Sequence, residues 1–284
     1  MFKKYSIFLF FLLAYLFTWS NWLPRALAAR GLPSYEPPGF IVLLAGYGPT
    51  LAAILVTLLT TGGQGLKELF GRLAKWRVGV QWYLIALFLP AAVILVSMGF
   101  NALTGGSLPN FANTPFPFGP RDTPLAPKIL ILFLVFVLGF DGLGEELGWR
   151  GYALPKLKES QSSLVASVIL GVLWAVWHFP FALTEGTTLN SLPLLVFVLN
   201  QVAQAIIYTW IFNNTQGSLL LPLLHHAAGN TTSNLLPFLP PAAADLRIYF
   251  FTVVVNWLVA LAILFATRGS LRPHREEEKR NILH

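Results

Sequence analysis

Three observations predict an all-α fold, a polytopic transmembrane helical bundle. Hydrophobic residues fill 55% of the 284 positions and charged residues only 11%, against roughly 25% charged in soluble domains. Eight apolar stretches, at about 5–24, 39–61, 81–103, 128–147, 163–184, 192–212, 218–237 and 247–267, each approach the ~20 residues that cross a bilayer. Lysine and arginine divide unevenly between alternate loops: with the amino terminus inside, fourteen lie on the inner side and five on the outer, as expected of cytoplasmic loops. The chain reads as one integral membrane domain over 1–284, bathed in lipid, with both termini cytoplasmic.

The first span follows Lys3 and Lys4 and ends at Trp19, Trp22 and Pro24, aromatic residues suited to a membrane interface. Ala26-Leu27-Ala28 imitates a signal-peptide cleavage site, but the apolar run is long and its aromatic end reads as a span. In the second span Gly46, Gly48 and Pro49 permit close packing or a kink. Residues 64–78 are amphipathic and predict a short helix on the inner surface. The third span precedes a Pro- and Gly-rich outer loop from Thr104 to Ala126. A fourth span leads into Asp141, Glu145, Glu146 and Arg150, and the polar run Glu159 to Ser163 predicts the turn into the fifth, which carries Trp174 and His178. Asn200 and Gln204 share a face of the sixth, the sign of interhelical hydrogen bonding. The seventh holds His225, His226 and Asn230, the eighth closes the bundle, and residues 269–284 read as a disordered cytoplasmic tail.

A net charge of +7 does not indicate nucleic acid. The basic residues lie in juxtamembrane loops, where anionic lipid attracts them. The absence of cysteine removes disulfides, thiolate nucleophiles and cysteine-ligated zinc.

Charge in so apolar a chain is informative, because each intramembrane charge costs roughly 2.5–3.5 kcal/mol on insertion scales. Helical spacing pairs Glu146 with Arg150 and turns Glu145, about 100° away, to another face. Glu145 is the candidate base, with Asp141 four residues earlier on its face. If Glu145 and His178 face each other on antiparallel helices, the turn falls midway, near 161–162, and both lie roughly 24 Å from it at ~1.5 Å per residue. His226 and Asn230 share a face, while His225 points away and reads as structural. Trp174 reads as a wall of the cavity.

A carboxylate, two imidazoles and an amide suit attack of an activated water on a carbonyl, hence peptide hydrolysis. Glu145 would take the proton, His178 would position the water, and His226 with Asn230 would stabilise the oxyanion. The same groups, Glu145, His178 and His226, could instead hold one divalent metal such as zinc. Sequence leaves both routes open, with a metal or with none.

Glu145-Glu146-x-x-x-Arg150 followed by Gly151-Tyr152, the aromatic Trp174 before His178, and His226-x-x-x-Asn230 together resemble the CAAX prenyl protease and bacteriocin-processing intramembrane proteases, called CPBP or ABI. The similarity covers about residues 128–236, the expected catalytic core. It implies an eight-helix membrane fold, endopeptidase activity on a membrane-associated prenylated CAAX-type or bacteriocin-leader-type substrate, and catalytic roles for Glu145, His178, His226 and Asn230. Glu146 and Arg150 belong to the same motif. Trp174 stands where phenylalanine is commoner, and Ala182 where some prenyl-protein proteases carry asparagine. Two rival readings are a non-catalytic peptide-binding immunity or scaffold protein and a proton-coupled carrier.

Overall fold

The computed structural model describes residues 5–107, 116, 119–120, 122–139, 141–187, 189–236 and 246–272. They form α1 (Ser6–Ala29), α2 (Gly39–Leu44), a 3-10 turn (Ala45–Tyr47), α3 (Gly48–Gly71), α4 (Val80–Leu103), α5 (Leu125–Leu138), α6 (Gly142–Glu146), a π-helix (Leu147–Ala153), α7 (Leu154–Leu157), α8 (Ser163–Trp177), α9 (Phe179–Leu183), α10 (Leu194–Asn214), α11 (Leu220–Leu235) and α12 (Arg247–Ala266). No strand occurs among the described residues. Every apolar stretch of the sequence coincides with a helical segment. Six of them, Ser6–Ala29, Gly39–Gly71, Val80–Leu103, Leu125–Leu157, Leu194–Asn214 and Arg247–Ala266, are long and apolar enough to cross a membrane. The protein is an all-α integral membrane protein. α8 is apolar but shorter, and α11 is diluted by its histidines and asparagines. Residues 108–115, 117–118 and 121 of the Thr104 to Ala126 loop, and the tail beyond Arg272, lie outside the described residues.

Lipid gives packed helices little hydrophobic drive, so close backbone approach must supply the attraction. The π-helix meets the start of α3 where a Cβ on Gly148 would lie 2.5 Å from Pro49 Cβ and 2.6 Å from its carbonyl oxygen. α8 meets α10 where a Cβ on Gly171 would lie 2.7 Å from Val202 Cα. Ser167 donates to Thr209 Oγ1 at 2.7 Å across the same pair, and Asn256 of α12 donates to Asn200 at 2.9 Å, the interhelical role expected of Asn200.

The amphipathic stretch is helical only to Gly71 rather than to 78. Its start is set by Gly62, whose φ of 67° and ψ of −157° break α3 in a conformation that suits glycine. α1 belongs to the bundle, with Phe10 and Ala14 fully buried. Its aromatic residues also reach α8: Tyr15 Oη donates to the Leu173 carbonyl at 2.5 Å and Trp19 Nε1 to the Trp177 carbonyl at 2.9 Å.

Candidate active site

The end of α8 explains His178. Pro180 has no N–H and cannot continue the helical ladder, so the last carbonyls of α8 need other donors. In a bilayer an unmet carbonyl costs several kcal/mol. Trp177 is served by Trp19 of α1, and the Trp174 carbonyl takes the ring Nδ1 of His178 at 2.9 Å. A carbonyl only accepts, so Nδ1 carries the proton and a neutral His178 presents Nε2 as an acceptor.

The paired glutamates diverge as their spacing predicts. Glu146 Oε1 accepts from Arg150 NH1 at 2.9 Å with both side chains fully buried. The same oxygen accepts from His226 Nδ1 at 2.8 Å, so α6 and α11 are joined through one carboxylate oxygen. Arg150 lies in the corner formed by the Trp174 and Tyr208 rings, 4.4 and 3.9 Å from their centroids, cation–π contacts that suit a desolvated guanidinium.

Glu145 is not free. Its Oε2 accepts the indole N–H of Trp149 at 3.0 Å and of Trp174 at 2.6 Å, which leaves Oε1 for another partner. Trp174 is therefore more than a wall: it holds the carboxylate, covers Arg150, and has the His178 and His226 rings 6.0 and 5.7 Å from its own. The two imidazoles are no further apart than the sum of those distances.

The side chain opposite Glu145 is Trp174, one helical turn before the expected His178. The turn falls at residues 158–161, its midpoint about two residues before the expected 161–162, so the residue opposite Glu145 moves by about four, from His178 to Trp174.

Asp141, Glu145 and His226 offer ligand atoms that all lie within 4.8 Å of one another. Asp141 replaces His178 in the trio suggested by the sequence. The Asn230 side chain is near enough to Asp141 to act on its carboxyl, which brings the seventh span's amide to the cluster with His226. His225 points away, its Nδ1 3.2 Å from the Ala86 carbonyl and its ring packed on Tyr208 at 4.9 Å, as expected of a structural histidine. Trp149 was missed by the sequence reading, although its place four residues after Glu145 and the need of any buried indole N–H for a partner were visible signals.

Fold and site together define a polytopic helical membrane protein with a carboxylate–imidazole cluster assembled from two parts of the chain and held by an indole from a third. Residues 127–232 match the family described as type II CAAX prenyl endopeptidase Rce1-like. The chain is also 26% identical over 270 residues to CAAX prenyl protease 2 of Methanococcus maripaludis, which covers 92% of this chain and 94% of the relative. These likenesses bear out the resemblance to CAAX proteases carried by the motifs.

Proposed function

We propose that the protein is an intramembrane endopeptidase that hydrolyses a peptide bond of a membrane-associated substrate of the prenylated CAAX type, using water activated by Glu145. The observation that carries this reading is Glu145 clamped through one oxygen by two indoles, with its other oxygen available, beside His226 and Asp141. A water bound to Oε1 and to Nε2 of His178 gives its proton to Glu145 as its oxygen adds to the carbonyl carbon. The oxyanion is held by the Nε2–H of a doubly protonated His226 and by the Asn230 amide. As the C–N bond breaks, the proton on Glu145 passes to the departing nitrogen. Glu146 acts through His226, fixing the ring by its Nδ1, and Arg150 holds Glu146 in place.

The donors Asp141, Glu145 and His226 also fit a divalent ion such as zinc, and Glu146 on His226 Nδ1 is the outer partner that metal-bound histidines use. Such an ion would supply Lewis acidity and a more acidic water. The substrate class follows the relative's name.

The test is cleavage of a farnesylated CAAX peptide by purified wild type, Glu145→Gln and His226→Ala, with chelator and metal analysis on the same samples. Wild type should cut, and each variant should lose roughly 10²–10⁴ in kcat while staying folded. Equal rates from all three would end the enzymatic reading. Peptide retained uncut by wild type would favour a binding protein.

A further inference from the structure

A second polar feature lies outside the cluster. An open cavity of about 330 Å³ is lined by the first turn of α1, the second half of α3 and residues 151–159. That size is at the low end of the roughly 300–1,000 Å³ of small-molecule pockets. It lies at the end of the membrane helices where basic residues gather, with Lys75 and Lys158 in the adjoining loops. The break at Gly62 turns the last part of α3, which forms one wall, out of line with its span.

The charges of the lining are balanced. Arg72 and Lys156 contribute two cations, and Glu68 and Glu159 two carboxylates. Glu68 acts electrostatically on Arg72, and Lys156 Nζ lies 2.6 Å from Glu159 Oε2. Threonine hydroxyls at 57, 60 and 61 add uncharged hydrogen-bonding groups. A bare anion would gain two cations but meet two carboxylates at similar range. A molecule carrying a phosphate and a primary ammonium satisfies both kinds of wall with charge-assisted hydrogen bonds. At the end of membrane-spanning helices, the molecule of that chemistry is an aminophospholipid.

We propose that this cavity binds the phosphoethanolamine headgroup of a membrane phospholipid, its phosphate on Arg72 and Lys156 and its ammonium on Glu68 and Glu159. The backbone of Gly151, next to Arg150, lines the cavity, while the Arg150 side chain faces the glutamate pair. The bound headgroup and the cluster therefore occupy two sides of one π-helix.

Delipidated wild type, Arg72→Gln and Glu68→Gln are titrated in detergent with short-chain phosphatidylethanolamine, phosphatidylcholine and phosphatidylglycerol, and with soluble glycerophosphoethanolamine. Wild type should prefer phosphatidylethanolamine by about tenfold or more, because choline has no N–H for the carboxylates and glycerol no positive charge. Each variant should lose about tenfold in affinity for it. Glycerophosphoethanolamine, which carries the whole headgroup, should compete with the lipid, and its failure to compete at saturating concentration overturns recognition through the headgroup. Binding of the soluble compound without the lipid overturns the proposal. So does equal or tighter binding of phosphatidylglycerol, or unchanged affinity in well-folded variants. Wild-type selectivity remains decisive if a variant does not fold.

Discussion

Replacing Glu146 by glutamine separates what the buried ion pair does for folding from what it does for the site. Glutamine keeps the shape and a carbonyl acceptor but removes the charge that faces Arg150 at 2.9 Å and His226 at 2.8 Å. Arg150 is fully buried, and its Nε and NH2 have no other hydrogen-bond partner among the described residues. The flanking Trp174 and Tyr208 rings are the same before and after, so they cannot compensate. Removing one member of a buried pair costs about 3–5 kcal/mol, which corresponds to a fall of roughly 6–20 °C in Tm at 2–4 °C per kcal/mol. In the double variant Glu146→Gln/Arg150→Met no uncompensated charge remains, and most of that stability should return. Activity should not return with it, because His226 Nδ1 still meets a neutral amide, and loss of such an orienting partner typically costs about 10–100-fold. The assay is thermal unfolding in detergent beside kcat and KM on a CAAX peptide for both singles and the double. A Glu146→Gln protein as stable as wild type, or a double variant that regains full kcat, would refute the reasoning.

Trp174→Phe should keep cleavage within about tenfold, since the ring still covers Arg150 and Trp149 still holds Glu145 Oε2, whereas Trp174→Ala should cost about 3–5 kcal/mol of stability. A loss of kcat as large as that of Glu145→Gln on changing Trp174 to phenylalanine would make its N–H essential. Gly148→Ala puts a methyl 2.6 Å from the Pro49 carbonyl oxygen and should lower stability by about 1–3 kcal/mol; an unchanged Tm would show that the π-helix and α3 can separate freely. Burial, and then Arg272 and Arg72, push the Lys158 ammonium down to about 8. The unfolded chain then holds the extra proton between that value and the ordinary lysine pKa of about 10.4, so stability should rise with pH across this window. Lys158→Met should flatten the rise in Tm between pH 8 and pH 10, and an identical slope in the variant would assign it to another group.

Much of the site was legible because helical spacing is a local property. Glu146 and Arg150 pair at i,i+4, Glu145 turns elsewhere, and His225 and His226 separate into a structural and a site histidine, all from 3.6 residues per turn. The identity of Glu145's partners was not legible. It depends on the register between two antiparallel arms, and the turn at residues 158–161 lies about two residues before the expected midpoint, which moves the register by about one helical turn. Helical periodicity does not fix which residues of a polar run close the turn.

The sequence by itself determined that this chain is a helical membrane protein, where its apolar helical segments lie, and which few polar residues they carry, because hydropathy and helix periodicity act over one turn or one span. Only the tertiary structure decided that Asp141 joins Glu145 and His226, that one oxygen of Glu146 bridges Arg150 and His226, and that two indoles clamp Glu145. Those contacts join residues up to 85 positions apart. They follow from how closely helices approach and in what register, which side-chain packing sets and local periodicity leaves open.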